Sequence, residues 1–291
     1  MRVAAFLSAR NEEDWIGRTI KSLYSQSINI YPIVVVDDGS TDETAKIATD
    51  YGVHVIYLPY HAQSWVGRPE LARPFNAALR FIRKDPDIDY VLQLGADHIL
   101  PIDHVETLLN RMISEPNIKI ASGTIGNTNT KRSQPWGSGR LVETKFWREV
   151  SNMLYPEIWG WESWLTYKAW ARGYETRCYV DLVTASRPVR MYPQKAYYWG
   201  RGTNVLGEHP AYAIIRSMRF FTQNPQNGVS LLAGYISSKI NRDLMADKEV
   251  TDYVYNFRIS RFLEKINSSC ARARDGCANS LIPGQSIGVL L

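Results

Sequence analysis

The sequence predicts an α/β protein: a mixed sheet flanked by helices, with a helical extension at the C-terminal end. Three observations lead there. Pro32-Ile33-Val34-Val35-Val36 is a β-branched run with no polar face, which suits a strand buried on both sides. Shorter apolar runs alternate along the chain with segments whose apolar residues recur at helical spacing. At 291 residues, 45% hydrophobic and 22% charged, the chain is long enough for one large α/β domain with a helical appendage.

Val3 to Ser8 is the first expected strand, and it ends in Arg10-Asn11-Glu12-Glu13. Trp15, Ile16, Ile20, Leu23 and Tyr24 then recur at helical spacing. The central unit follows. Its strand stops at Asp37 and Asp38, turns through Gly39-Ser40-Thr41, and reads as helix from Glu43 to Tyr51. Ser40 or Thr41 is a good N-cap, and Asp42 and Glu43 sit where the helix dipole favours negative charge. The unit puts two carboxylates at the carboxyl end of a central strand, where open α/β sheets bind ligands. The competing reading makes them loop solubilisers and caps.

Val53 to Leu58 is a third strand, followed by an irregular loop from Pro59 to Glu70 with His61, Trp65, Gly67 and Arg68. Leu71 to Arg83 reads as helix with Pro74 in its first turn. Asp89 to Leu94 is a buried strand ending in Gly95-Ala96-Asp97-His98. A helix at His104 to Ile113 and a strand at Ile118 to Ile125 come next. The long polar loop from Gly126 to Arg140 has the length of a lid or an acceptor-binding wall. Leu141 to Val150 reads as helix with Phe146 and Trp147 inward, and the helix after Trp159-Gly160-Trp161-Glu162 closes on Gly173. Arg177 to Val183 is a strand, Arg187 to Tyr198 an extended passage, and Gly200 to Asn204 a loop. Helices are expected at Ala211 to Phe221, Gly228 to Ile240 and Lys248 to Ile266. The first is amphipathic, and the charged faces of the last two suit capping the domain, pairing subunits as a homodimer, or peripheral contact with a membrane. The expected division is 1–215 as the main domain, 216–267 as a helical extension, and 268–291 as a loosely ordered tail.

The formal charge of +5 comes without a Lys/Arg block, so no nucleic-acid partner is expected. Three cysteines, at 178, 270 and 277, form an odd set without metal-ligand spacing. That fits a reducing compartment, and a cytoplasmic location is expected. The N-terminal apolar run is too short for a signal peptide, and no stretch has the length to cross a bilayer.

Val35-Val36-Asp37-Asp38-Gly39-Ser40-Thr41-Asp42-Glu43-Thr44 resembles the nucleotide-binding signature of family 2 glycosyltransferases. These are inverting enzymes of the GT-A fold, a Rossmann-like domain that binds a nucleotide sugar. Arg10-Asn11-Glu12, Gly95-Ala96-Asp97 and Trp161-Glu162 with Gly173-Tyr174 follow the family's order, so the resemblance covers about the first 210 residues. It implies that Arg10, Asn11 and Glu12 lie beneath the base and ribose of the donor, and that Asp37, Asp38 and Gly39 face them. It implies a phosphate contact for Arg73, with Arg68 as a companion. Gly95-Ala96-Asp97 stands where the family carries Asp-x-Asp. Gly95 replaces the first acid, and Asp97 keeps the position that binds a divalent cation, Mn or Mg, between the two phosphates. Glu162 falls where the family has its catalytic base, which removes the acceptor hydroxyl's proton; the competing reading is a capping carboxylate. His209, with Arg201, is the candidate to close over the metal and diphosphate, and His209 is the second metal candidate.

The donor implied is a UDP-, GDP- or dTDP-linked sugar, and the acceptor a glycan, a lipid-linked carrier or a protein. A retaining transferase on the same fold and a sugar-nucleotide-binding protein with little turnover are the alternatives.

Overall fold

Ile33, Val34, Val35 and Val36 are buried and alternate between two apolar clusters, Val34 and Val36 on one side of the sheet and Ile33 and Val35 on the other. The adjacent strand behaves in the same way, with Ala4 and Phe6 opposed to Ala5 and Leu7. Strands with no polar face are stable only when both faces are covered. The computed structural model describes residues 1–126, 133–188 and 191–257. The strands are β1 (Val3–Ala9), β2 (Ile30–Asp37), β3 (His54–Tyr57), β4 (Tyr90–Gly95), β5 (Ile118–Ile125), β6 (Arg140–Glu143) and β7 (Glu175–Thr184). The helices are α1 (Ile16–Tyr24), α2 (Thr44–Asp50), α3 (Ala72–Ile82), α4 (His104–Ser114), α5 (Thr144–Ser151), α6 (Trp161–Ala171), α7 (Pro193–Val205), α8 (Pro210–Gln223) and α9 (Pro225–Ile240). A further helix runs over 248–257. The expected tail at 268–291, Cys270 and Cys277 lie outside the described residues.

The strands form one seven-stranded sheet in the order β3-β2-β1-β4-β6-β5-β7. β1 pairs in parallel with both β2 and β4, and Ser8 opposite Gly95 and Ala9 opposite Asp37 bring three strand ends to one edge. β6 is antiparallel to β4 and β5. α3, α5 and α6 cover one face, and α1, α2 and α4 the other.

Two expectations are corrected. The helix read at Leu141 to Val150 is β6 followed by α5. Leu141 and Val142 are buried on opposite faces between two strands, and so short a segment takes its state from pairing. The extended passage and loop read from Arg187 to Asn204 are largely α7. Its glycines are contact points: a Cβ on Gly200 would lie 2.0 Å from the Leu231 carbonyl oxygen, and one on Gly202 3.2 Å from Gly160 Cα. Residue 215, the expected boundary, lies within α8, and α7 packs on α9.

Candidate active site

The turn after β2 is built from the chain inward. Gly39 has φ +71°, and a Cβ there would lie 2.8 Å from Tyr60 Cα and 2.9 Å from the Pro59 carbonyl oxygen, so only glycine fits. Asp37 Oδ1 accepts from Ser40 N at 3.3 Å. Asn11, itself at φ 54°, accepts from Thr41 N through Oδ1 at 2.9 Å and donates its own N–H to Ser40 Oγ at 3.1 Å. Asn11 thus ties the end of β1 to the turn after β2. Glu43 holds the N-cap position of α2 in place of the Ser40 or Thr41 expected, and Asp42 just before it accepts from Thr44 N through Oδ1 at 3.0 Å.

Asp37 and Asp38 are both buried. Asp38 donates its N–H to the Ala9 carbonyl at 2.8 Å, and its Oδ1 lies 3.2 Å from His61 Nε2. Burial pushes the Asp38 carboxyl up, against the opposing pull of His61. The Arg10 guanidinium touches the same imidazole, Nη1 to Nδ1 at 2.5 Å, and bonds the His61 carbonyl. His61 stacks on Trp65 at 3.7 Å, and Arg73 lies over Trp65 at 5.7 Å while its Nε bonds Glu157 at 2.8 Å. His61 and Trp65 therefore join Asp38 and Arg10 to Arg73 in one wall.

At the end of β4, the Ala96 carbonyl is held by Thr19 Oγ1 at 2.7 Å. Asp97 is ion-paired with Arg187, Nε to Oδ2 at 2.8 Å, and Arg187 also pairs with Glu12. Burial raises the Glu12 carboxyl, and Arg187 works against that rise. Gly95 has a local reason: a Cβ would lie 3.0 Å from Ser138 Oγ and 3.2 Å from Asp97 Oδ1. An acid there would crowd the serine and repel its neighbour. Ser138 accepts from Gly95 N at 2.7 Å and hydrogen-bonds His98 Nδ1 at 2.5 Å. His98 Nε2 reaches Thr184 Oγ1 at 2.7 Å, and that hydroxyl donates to the Thr124 carbonyl at 2.9 Å. Each proton has one acceptor if the serine donates to Nδ1 and Nε2 carries the hydrogen. His98 is thus a buried neutral imidazole bracing the strand end, and burial pulls it down to about 4.

Glu162 stands exposed in the first turn of α6. Its carboxylate lies over Gly137, where a Cβ would sit 1.8 Å from Oε1, and Gln93 Nε2 on β4 approaches Oε1 at 3.5 Å while donating to the Gly137 carbonyl at 2.7 Å. Arg140 is buried and holds three acceptors, the Glu162 carbonyl at 3.2 Å, Gln93 Oε1 at 3.2 Å and the Tyr155 hydroxyl at 2.5 Å. Lys195 of α7 feels the Glu162 charge, yet burial holds its ammonium below the usual lysine range.

The structure thus gathers Arg10, Asn11, Glu12, Asp37, Asp38, Gly39, Ala96 and Asp97 at one edge, with Glu162 reached through Gln93. Two candidates stand elsewhere. Arg201 lies in α7, paired with Asp243 and 4.2 Å over Trp159. His209 caps α8, its Nδ1 accepting from Ala211 N at 3.2 Å, and faces Tyr255 at 5.3 Å. Both take part in the C-terminal packing, and the roles of His209 as a metal ligand and of both as diphosphate contacts belong with the proposed function. Among the described residues no group of three His, Cys, Asp or Glu side chains is placed to hold a metal. Sequence reading missed Gln93, Ser138, Arg140, Lys195 and Arg187 in this site, because each is brought in by strand pairing, by a distant loop or, for Lys195, by the packing of α7.

A mixed sheet with acids on the ends of adjacent parallel strands, and a carboxylate at a helix start beside them, defines the GT-A fold class. Residues 5–165 match the model of Glycosyl transferase family 2, more than half of the chain, which therefore belongs to that family. It is 29% identical over 168 residues to a glucosyl-3-phosphoglycerate synthase of Petrotoga mobilis, covering 54% of this chain and 49% of the relative. It is 44% identical over 111 residues to a 4,4'-diaponeurosporenoate glycosyltransferase of Staphylococcus aureus (strain USA300), covering 36% of this chain and 26% of the relative. The chain thus spans about half the length of the one and about a quarter of the other. Among solved structures, the mannosyltransferase PcManGT from Pyrobaculum calidifontis in complex with GDP-Man and Mn2+ superposes with a TM-score of 0.57 at 14% identity, covering 81% of this chain and 86% of the other. S. aureus TarS 1-349 in complex with UDP gives 0.52 at 19% identity, covering 80% and 75%. At these identities the likeness concerns the fold.

Proposed function

We propose that the chain transfers a sugar from a nucleotide-diphospho-sugar donor to an acceptor hydroxyl with inversion. The nucleoside diphosphate would lie across the carboxyl ends of β1, β2 and β4. The observation that carries this reading is the convergence of Arg10, Asp38 and Asp97 there, with Glu162 tied to the same edge by Gln93. Base and ribose present both donors and acceptors, and this edge offers both. Glu12 Oε2 is buried without a hydrogen-bond partner among the described residues, a cost that a ligand donor would relieve.

Glu162 is the base in this reading. It takes the proton from the acceptor hydroxyl as that oxygen attacks the anomeric carbon, and the bond to the diphosphate breaks with its electron pair leaving on the phosphate oxygen. Arg140 and Gln93 hold the base in place. Asp97 fits one position of a hard cation, because Mg2+ is commonly held by one or two carboxylates with phosphates and water completing the shell. When bound, Mg2+ or Mn2+ offsets the charge growing on the leaving diphosphate. Arg187 now occupies the Asp97 carboxylate and would have to yield it. The donor in this reading is a UDP-, GDP- or dTDP-linked sugar, and the acceptor a glycan, a lipid-linked carrier or a protein. Cytoplasmic residence is supported by the odd cysteine count and by Cys178, a buried free thiol.

The test is calorimetric titration with UDP, GDP and dTDP in Mn2+, followed by transfer assays with the matching sugars. One nucleotide should bind, and Asp38→Ala should weaken it by roughly 1.5–3 kcal/mol through a lost charge-assisted hydrogen bond. Unchanged affinity in a folded variant sinks the donor placement. An α-linked donor should give a β-linked product, and retention would remove Glu162 as base. Tight nucleotide binding without hydrolysis or transfer of any sugar would favour a sugar-nucleotide-binding protein.

A further inference from the structure

α8 and α9 carry their large apolar side chains on the outside. In α8 the buried residues are Ala213 and Ser217, whereas Ile214, Met218 and Phe221 are 50%, 64% and 51% exposed at i, i+4 and i+7. In α9, Val229, Ile236 and Ile240 are 59%, 48% and 73% exposed and share one helical face with Ala233. That spacing draws a stripe along each helix. The helices meet at the hairpin, where a Cβ on Gly228 would lie 2.6 Å from Phe221 Cβ. Large apolar side chains left exposed in a row along two neighbouring helices are the pattern of an interaction site.

Charge decides what covers it. From His209 to Arg242 the chain carries Arg216, Arg219, Lys239 and Arg242 and no acidic residue. A second copy of the chain would set those cations against themselves. Residues 258–291 match no better, since Arg258, Arg261, Lys265, Arg272 and Arg274 outnumber Glu264 and Asp275. Apolar stripes with basic flanks suit a helix lying in the interface of an anionic bilayer. We propose that α8 and α9 dock the protein on an anionic phospholipid surface, the stripes entering the headgroup layer and the cations facing the phosphates. No residue of the donor site takes part.

The experiment is co-sedimentation of the full chain with vesicles of phosphatidylglycerol and phosphatidylcholine, against phosphatidylcholine alone. Binding should require phosphatidylglycerol and weaken with salt. Arg219→Glu with Lys239→Glu should lower it by at least about fivefold for each residue. Ile214→Ser, Met218→Ser and Ile240→Ser together should lower it by about tenfold or more. These side chains are exposed, so unchanged melting temperatures check that the variants fold. Failure of the wild-type chain to bind, or unchanged binding in the serine variant, overturns the proposal. So does a wild-type dimer that the serine variant dissociates while vesicle binding is absent, which would assign the stripes to a second copy.

Discussion

Glu162 owes its position to residues far from it in sequence: Gly137 leaves room for the carboxylate, and Gln93 and Arg140 hold it from β4 and β6. Glu162→Gln keeps its size but cannot take the proton. General-base catalysis contributes about 10²–10⁴-fold, so transfer at saturating donor should fall by that order while nucleotide affinity is unchanged. A mere helix cap predicts near-normal transfer with a lower melting temperature. Asp97 poses a different question, because Arg187 holds the carboxylate that a cation would use. Arg187→Gln should free Asp97 and also remove a positive charge from the metal-free site. The ratio of UDP affinity in Mn2+ to that in chelator should rise about tenfold, the scale of one charge-assisted hydrogen bond. An unchanged ratio in calorimetry would mean that the arginine and the cation do not share Asp97.

Among the elements, α7 and α9 cross more closely than side chains permit. Gly200 faces the Leu231 carbonyl, and a Cβ on Gly234 would lie 2.0 Å from the Tyr197 carbonyl oxygen. Helix propensity alone makes Gly→Ala stabilising by about 0.5–1 kcal/mol. The crossing predicts the opposite sign for Gly200→Ala, a loss of at least about 1–3 kcal/mol from overpacking. Urea unfolding decides it, and a stabilised variant would show that the helices separate at little cost. The same glycines made this segment read as a loop, since spacing along the chain does not reveal a helix lying across it.

At the scale of the whole molecule, acid should unfold the protein through its interior histidines. His98 and His104 are buried, and burial pulls each down to about 4. An unfolded histidine takes a proton near 6.5. Above that value neither state is charged and stability does not depend on them. As pH falls from 6.5 toward 4 the unfolded chain binds protons that the folded one refuses, so stability declines by on the order of 3 kcal/mol per histidine. Urea midpoints at pH 7.5, 6 and 5 should fall in that order, and His98→Asn should reduce the drop. An equal drop in the variant would place the titrating group elsewhere.

The doubly buried strands β1, β2 and β4 follow from apolar runs alone, because a strand without a polar face has nowhere to go but the middle of a covered sheet. With the strand ends determined, Asp37, Asp38 and Asp97 come to one edge, since β1 registers Ala9 on Asp37 and Ser8 on Gly95. The helical start of Glu162 was equally legible, from Gly173 and the spacing of Leu165 and Ala169. What only the tertiary structure decided is which charges meet. Arg187 reaches Asp97 across 90 residues and Glu12 across 175. His61 reaches Asp38 because the loop after β3 folds back over the edge. Arg201 pairs with Asp243 and His209 faces Tyr255, partners that their place in the chain does not reveal. Where the apolar pattern is strong, backbone state is set by neighbours within a few residues and the sequence carries it; β6 and α7 took theirs from pairing and packing. The pairing of side chains depends on how segments far apart are brought together, and only the packed sheet and helices determine that.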